Sequence, residues 1–290
     1  MKNIQNIVVP TDFSVTARNA FNYAKGLAHV LNASITVVHV KEYLMSSYDL
    51  GSTTVSQITE LEANQALQNF IEDESMNERK VHTTFPSHKL GIKTQILDGY
   101  ATQSLIELSD DNDTDLIAIG STGLQDFITR MAGSTSLNVA KGAHCPVLLV
   151  PNNTTWQPIE RIMYACNYFS LTPKMVKEIN DFAITLNAKI HFVHVADVDS
   201  DLRTAEDQIN WTELFFMTDP NLRFESHSIY GDNKVIELKK YVLRNHIDMM
   251  AFVSRKRGFW ENLFTKSVIQ EMAFADISKP MLVLHQVDEL

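Results

Sequence analysis

The chain has 290 residues, of which 44% are hydrophobic and 21% are charged, and its formal net charge is −10. This length is enough for two domains that each bury a core, and the composition excludes an intrinsically disordered protein. Because the balance is acidic and no extended basic cluster occurs, the sequence argues against a nucleic-acid-binding surface.

The sequence offers no segment suited to a membrane. No apolar run approaches the roughly 20 residues of a transmembrane helix, and the first residues lack the apolar centre of a signal peptide. We therefore expect a cytoplasmic protein with no membrane partner. Its two cysteines, Cys145 and Cys166, are expected to be reduced structural thiols rather than parts of a disulfide or a metal site.

Strand and helix patterns alternate along the first half of the chain. In order, they predict a strand over 4–9, a helix over 17–31, a strand over 34–40, a long polar helix over 53–78, a strand over 92–97, a helix over 102–108 and strands over 116–119 and 147–150. Immediate succession of strand, helix and strand predicts right-handed parallel crossovers. The expected fold is α/β, a Rossmann-like, five-stranded parallel doubly wound sheet that binds ligands beyond the carboxyl ends of its strands.

A glycine-bordered loop spans residues 120–135 and leads into a predicted helix over 134–142. Gly120 is expected to end the preceding strand. Gly120, Gly123 and Gly133 allow positive φ and a close approach of a ligand to backbone N–H groups. The N-terminus of the following helix would favour an anion there. The spacing G-x2-G-x9-G-S differs from the P-loop and from G-x-G-x-x-G.

The pattern restarts after a polar linker over residues 152–159. Residues 31–33 (Leu-Asn-Ala) recur as 186–188, and residues 38–40 (Val-His-Val) recur at the same offset as 193–195. With small shifts, further residues pair between the halves: Gly99 with Gly231, Asp115 with Asp248, and Pro146 with Pro280. Self-similarity at a nearly fixed offset predicts an internal duplication, with one domain over 1–151 and a second over 160–290.

The second copy differs where a ligand would bind. Residues 10–12 (Pro-Thr-Asp) correspond to residues 165–167 (Ala-Cys-Asn), so the carboxylate is lost. The glycine loop corresponds to residues 253–267, in which Gly258 remains and bulky residues crowd the ends. Side chains at such positions strain the backbone and fill the space of a phosphate. We expect the second domain to be a degenerate copy without the site.

The glycine loop resembles the nucleotide-binding signature of the universal stress protein family, specifically its ATP-binding branch. Residues 145–151 resemble the last strand of that family, and residues 8–14 resemble its first. The resemblance covers the first 151 residues and, more weakly, the remainder. It implies two tandem domains of the adenine nucleotide α-hydrolase-like fold, a role in the stress response, and ATP as the ligand, with or without Mg²⁺.

The resemblance also implies roles for individual residues. Asp12 would contact ribose or adenine, and Val40 would meet the adenine through its backbone. Asp12 has the alternative role of capping the helix that begins near Ser14. The expected nucleotide-binding residues are Pro10, Thr11, Asp12, Val40, Gly120, Ser121, Gly123, Gly133, Ser134 and Thr135.

Catalytic residues are not evident in the sequence. His39 and His194 are expected to be satisfied core or strand-end histidines, because no third group would orient either as a base. No arginine finger and no acidic pair for Mg²⁺ is apparent, and we assign no metal ligands. The leading hypothesis is an adenine-nucleotide-binding protein with an architectural second half. Slow ATP hydrolysis and a ligand-free scaffold are the alternatives.

The duplication bears on assembly as well. In single-domain relatives two subunits pair, so the two halves are expected to form an intramolecular pseudo-dimer through residues 147–150 and 281–284. A homodimer is the alternative assembly.

Overall fold

A computed structural model describes residues 4–42, 59–73, 90–121, 135–166, 172–196, 224–231, 233–255 and 277–286. The chain divides into two compact units, one formed by Ile4–Thr122 and Met131–Trp156 and the other containing Gln157–Leu290. Within the described ranges, no helix is both long and apolar enough to cross a bilayer.

The first unit is a five-stranded parallel sheet with helices between its strands. Its described elements are β1 (Asn6–Pro10), α1 (Val15–Leu31), β2 (Ser34–Lys41), α2 (Glu60–Glu72), β3 (Ile92–Asp98), α3 (Ala101–Leu108), β4 (Leu116–Ser121), α4 (Thr135–Gly142) and β5 (Val147–Pro151). The strand order is β3-β2-β1-β4-β5, and every described pairing is parallel. The predicted α/β class is confirmed.

The chain reverses its direction across this sheet between β1 and β4. It steps outward from β1 through β2 to β3, and α3 then carries it back to β4 on the other side of β1. Because such crossovers are right-handed, the helices of the two halves cover opposite faces. Accordingly, α1 packs on α2 through Phe21 and Phe70, whose ring centroids are 5.5 Å apart. The carboxyl ends of β1 and β4 therefore border the crevice where doubly wound sheets bind ligands.

Local sequence explains why α1 begins and ends where it does. Ser14 is the N-cap, and its Oγ accepts a hydrogen bond from the Ala17 N–H at 3.2 Å. Apolar residues then recur at helical spacing and bury one face against the sheet. Asn32 closes the helix in the left-handed region, at φ 54°, a conformation that asparagine tolerates better than most residues.

The prediction that Gly120 ends the fourth strand is wrong. Strand β4 continues to Ser121, and Gly120 is paired in register with Val150 of β5. Among the described glycines, positive φ occurs at Gly99 and not at Gly120. Gly120 is needed for close packing instead, because a Cβ there would lie 2.6 Å from the Thr16 carbonyl oxygen.

Helix α2 is shorter than the predicted helix over 53–78, because the described residues Thr59 and Asp73 are its caps rather than parts of it. Helix α2 begins after Thr59, where a capping box joins Thr59 and Glu62, and it ends before Asp73. The Thr59 hydroxyl accepts from the Glu62 N–H, and the Glu62 carboxylate accepts from the Thr59 N–H. These reciprocal bonds satisfy backbone donors that would otherwise continue the helix upstream. Residues 53–58 and 74–78 lie outside the described ranges.

Part of the predicted linker packs into the first unit. Trp156 is 6% exposed, and its ring meets Tyr23 edge-on at 5.1 Å. Gly26 makes room for it, since a Cβ at that position would overlap the indole. Asn19 Nδ2 fixes the backbone before it by donating to the carbonyls of Pro151 (2.8 Å) and Thr154 (3.1 Å).

The second unit repeats this architecture. Its described elements are β6 (Arg161–Ala165), α5 (Pro173–Leu186), β7 (Lys189–Ala196), β8 (Phe224–Tyr230), α6 (Lys234–Arg244), β9 (Met249–Arg255) and β10 (Met281–Gln286). Its strands are parallel, in the order β10-β9-β6-β7-β8. Strand β6 thus occupies the position of β1, and β9 that of β4.

Contacts that hold each sheet together recur at the paired positions. Asp115 Oδ2 accepts 2.8 and 3.0 Å hydrogen bonds from the two backbone N–H groups at the start of β1. Asp248 Oδ2 accepts two 3.0 Å bonds at the start of β6. Asn187 ends α5 at φ 54°, as Asn32 ends α1. The pairs Asp115 with Asp248 and Asn32 with Asn187, which indicated a duplication, therefore make equivalent interactions. The bounds predicted for the two domains and the linker stay predictions.

Candidate functional site

The turn after β1 is held by its own side chains. The Thr11 N–H donates to the Val38 carbonyl (2.8 Å), and the Thr11 hydroxyl accepts from the Phe13 N–H (2.9 Å). Asp12 Oδ1 accepts from the Ser14 N–H at 3.0 Å. Asp12 thus braces the residue that caps α1, although the cap itself is Ser14. Its carboxylate stays exposed at the carboxyl edge of the sheet.

Phe13 is the strained residue of this turn. It has φ 63°, in the left-handed region that bulky residues rarely adopt. Its ring lies 4.5 Å from that of His39 and 6.0 Å from that of Phe70, so packing holds the conformation. His39 Nδ1 also donates to the Thr11 carbonyl at 2.9 Å. The expectation that His39 is a satisfied strand-end histidine is confirmed.

Helix α2 supports the turn from behind. The Arg18 guanidinium lies over the Phe70 ring, 3.8 Å from its centroid, and donates to the Phe70 carbonyl near the end of α2. Burial lowers the pKa of Arg18, and the charge of Asp73 partly offsets that effect. Arg18 therefore ties α1 to α2 beneath Phe13 rather than facing the crevice as a free cation.

Strand register sets the predicted residues of three strands level with one another. Pro10 of β1 is paired with Val38 of β2, so Val40 lies level with Asp12. Val8 is paired with Ile117 of β4, and continuing that register sets Thr11 level with Gly120 and Asp12 level with Ser121. The structure thus gathers these residues at one edge of the sheet.

These residues differ in how much of their surface is exposed to solvent. Thr11 and Ser121 are each 6% exposed, Val40 and Gly120 are half-buried, and Asp12 is exposed. Asp12 therefore presents its carboxylate to solvent at this edge, whereas Thr11 and Ser121 are buried.

Gly120 brings the start of α1 close to β4. Its missing side chain is replaced by the Thr16 main chain and methyl group, each 2.6 Å from where a Cβ would stand. Sequence reasoning assigned Gly120 to a phosphate and missed Thr16. A glycine late in a buried strand, opposite a helix start, was the signal for such a contact.

The remaining predicted residues lie in or beside the glycine loop. Thr135 is the first residue of α4 and is exposed. Gly123, Gly133 and Ser134 lie outside the described residues. Their predicted phosphate contacts therefore stay predictions.

The matching edge of the second unit keeps the frame of the site without its carboxylate. The Cys166 N–H donates to the Val193 carbonyl (3.0 Å), as Thr11 does to Val38. His194 Nδ1 donates to the Cys166 carbonyl at 3.2 Å, as His39 does to Thr11. Cys166 is a free, buried thiol where Thr11 offers a hydroxyl.

Comparison with known proteins identifies the family. A sequence model described as "Universal stress protein family" matches residues 3–151. The chain belongs to the universal stress protein family. The universal stress protein MJ0531 of Methanocaldococcus jannaschii is 28% identical over 149 residues, which cover 50% of this chain and 81% of that protein.

A solved universal stress protein shares the fold. This protein, from Archaeoglobus fulgidus, superposes on 99% of this chain and 100% of its own with a TM-score of 0.68, at 16% identity. A universal stress protein solved in complex with cAMP covers 51% of this chain at 22% identity, with a TM-score of 0.35. The Archaeoglobus likeness extends over both units and concerns the fold alone.

Proposed function

We propose that the first unit binds an adenine nucleotide, namely ATP with or without Mg²⁺, in the crevice at the carboxyl ends of β1 and β4. The observation that carries this proposal is the exposed carboxylate of Asp12 in a strained turn at the topological switch point. Strain of the kind seen at Phe13 collects at ligand sites, because a loop fixed in advance loses little freedom on binding.

Each described residue of the proposed site has a chemical task that its position allows. Asp12 accepts hydrogen bonds from ribose hydroxyls with the carboxylate oxygen that does not brace Ser14. Val40 offers an apolar surface and backbone groups to the adenine at the end of β2. The glycine loop and the start of α4 receive the phosphates on backbone N–H groups.

Binding, rather than turnover, is the proposed activity. Among the described residues near the crevice, His39 already donates to a carbonyl, and Arg18 is committed to Phe70. Neither is therefore placed as a base or as a mobile cation for a transferring phosphoryl group. The pairing of the two halves as a pseudo-dimer, and homodimerisation, stay predictions.

The test is a calorimetric titration of the full chain with ATP in the presence of Mg²⁺. Replacing Asp12 with Ala should weaken binding by about 10- to 100-fold, since a hydrogen bond to a charged group contributes about 1.5–3 kcal/mol. The matched control is Asn167→Ala, at the aligned position of the second unit, which should leave affinity unchanged.

A second pair of variants tests the glycine loop. Gly123→Val should abolish binding, because the added side chain would occupy the space of a phosphate. Gly258→Val, at the glycine that remains in the corresponding stretch of the other half, should not affect binding. If wild-type protein shows no saturable binding of ATP, ADP or cAMP, the ligand-free scaffold is the better account. Phosphate release that Asp12→Ala or Gly123→Val abolishes would favour the hydrolase.

A further inference from the structure

A cluster of two histidines and a glutamate lies in the second unit, on β7 and β8. His191, Glu225 and His227 each offer a ligand atom, and these atoms lie within 4.8 Å of one another. Glu225 Oε2 is 3.1 Å from His227 Nε2 and 3.6 Å from His191 Nδ1. Within the described ranges, this is the group whose separations suit a metal ion.

Strand pairing explains why three residues from distant parts of the sequence meet. His191 is directly opposite Glu225 in the register of β7 and β8. His227 follows Glu225 by two positions, so both side chains point to the same face of β8. Helix α6 covers this face with Tyr241, whose ring lies 5.3 Å from that of His227. The three ligand groups are thus fixed by a sheet rather than by a loop.

Two of the separations within the cluster are close to those of zinc ligands. Zinc bonds to imidazole nitrogen and carboxylate oxygen are about 2.0–2.1 Å long, so two ligand atoms at a tetrahedral ion stand roughly 3.3 Å apart. The two measured distances from Glu225 Oε2 lie on either side of that value. Two histidines and one carboxylate leave a fourth position for water.

Two nearby positively charged side chains would disfavour the binding of a metal cation. Lys189 contacts Glu225 Oε1, and Arg161 acts electrostatically on His191. The Tyr241 hydroxyl forms a 2.9 Å hydrogen bond with His191 Nδ1. A metal ion would replace that hydrogen bond and share Glu225 with Lys189, so affinity depends on how readily Lys189 withdraws.

The first unit carries no such cluster at the same place, although its sheet has the same register there. Thr36 is opposite Lys93, and Gln95 follows two positions later. Threonine therefore suffices at this position of the sister sheet, so the fold alone does not require a histidine at 191.

We propose that His191, Glu225 and His227 form a Zn²⁺ site in the second unit. The metal binds His191 Nδ1, His227 Nε2 and Glu225 Oε2, with water in the fourth position. The unit that has lost the nucleotide-type residues thereby has a ligand of its own. This site is independent of nucleotide binding in the first unit.

Zinc chloride alone, titrated into chelator-treated full-length protein, tests the proposal. We expect one Zn²⁺ per chain with saturable binding. His227→Gln should weaken the affinity by at least about tenfold, since even loss of a supporting residue around a metal costs about 10- to 100-fold. His227 is half-exposed, so its replacement is compatible with folding. Glu225→Gln, which keeps the shape of the side chain, should have a similar effect.

Two further variants separate a built site from surface binding. His144→Gln removes a histidine that also faces a carboxylate, Asp110 at 3.3 Å, in the other unit, and it should leave zinc affinity unchanged. Lys189→Met removes the competing cation and should tighten binding several-fold. Co²⁺ in place of zinc should give visible absorption bands typical of tetrahedral coordination, and His227→Gln should abolish them.

Three results would overturn the proposal. One is the absence of saturable zinc binding at micromolar concentrations. Another is equal affinity in wild type, His227→Gln and Glu225→Gln when circular dichroism shows all three folded. The last is a loss of affinity in Lys189→Met equal to that in His227→Gln, because it would mean that charge around the cluster and not ligation governs binding.

Discussion

The two units share a frame and differ at the carboxyl edge of their sheets. Asp115 and Asp248 tie the same strands together, and Asn32 and Asn187 end the same helix with nearly equal backbone angles. At the edge, the exposed Asp12 of one unit is Asn167 in the other. The comparison teaches that the contacts holding this fold are separable from the residues that we propose to bind a ligand.

Position 120 of the first unit differs from its aligned position in the second, and the difference affects how a helix packs on the sheet. Gly120 of β4 aligns with Val253 of β9, and both are paired with the last strand of their sheet. Without a side chain, Gly120 admits the first turn of α1 at Thr16. Helix α5 begins later in the aligned sequence, at Pro173 against Val15 of α1. At Gly120, the missing side chain is what leaves room for the helix start.

The largest expected loss of stability comes from removing a buried contact of the first unit for which the second has no equivalent at the aligned position. Trp156→Ala should lower the free energy of unfolding by about 3–5 kcal/mol, because it empties a buried indole site against Gly26 and Tyr23. Asp181, which aligns with Gly26, forms a surface ion pair with Lys177, so Asp181→Ala is the matched control and should cost less than about 1 kcal/mol. Urea unfolding of each variant measures both, and equal losses would contradict the contrast.

A smaller loss of stability is expected when Gly120 is replaced by valine, the residue at the aligned position of the second unit. Gly120→Val should cost about 1–3 kcal/mol, since the new side chain overlaps the Thr16 backbone and forces α1 away from β4. Ala118→Val, at a buried position of the same strand, controls for simple overpacking. Thermal unfolding and ATP titration should show Gly120→Val losing both stability and binding. Full ATP affinity in Gly120→Val would separate the glycine from the site.

The shared frame predicts equal losses at equivalent positions. Asp115→Ala and Asp248→Ala should each lower stability by about 1–3 kcal/mol, because each leaves two backbone N–H groups without their carboxylate. Chemical denaturation of both variants checks this. A loss at one aspartate and none at the other would show that the frames are not equivalent.

The smallest effect concerns the two thiols. Burial raises the pKa of Cys145 to about 12 and raises that of Cys166 as well. Both should stay unreactive toward a thiol reagent at pH 8 and react after denaturation. Because the folded pKa lies above the unfolded one, the contribution of Cys145 to stability is complete below about pH 9 and is lost as the pH rises toward about 12. Rapid labelling of native protein would show that a thiol is accessible.

Much of the fold was predictable because local patterns of apolar and polar residues determine its strands and helices. Apolar runs predicted the strands of the first unit, helical spacing predicted α1, and the repeated Leu-Asn-Ala indicated the duplication, whose two helix ends are indeed alike. The predicted ends of two elements, α2 and β4, were wrong. The Thr59 capping box shortened α2, and β4 ran on through Gly120 because its partner β5 continued to pair.

The candidate sites were less predictable because they depend on contacts between distant positions. Residues 10–12 could be proposed because they lie at the carboxyl end of the first predicted strand, at the switch point. The contact of Gly120 with Thr16 and the burial of Trp156 depend on how a helix meets a sheet. His191 and Glu225 become neighbours through strand pairing, and without that register their spacing in the sequence matches no metal motif.

The most direct measurement is the stoichiometry of ATP on the full chain, determined by calorimetry at a protein concentration above the dissociation constant. One nucleotide per chain is predicted, because the first unit keeps the exposed carboxylate and glycine loop that the second has lost. Two equivalent nucleotides per chain, or none, would contradict the division of roles between the two units.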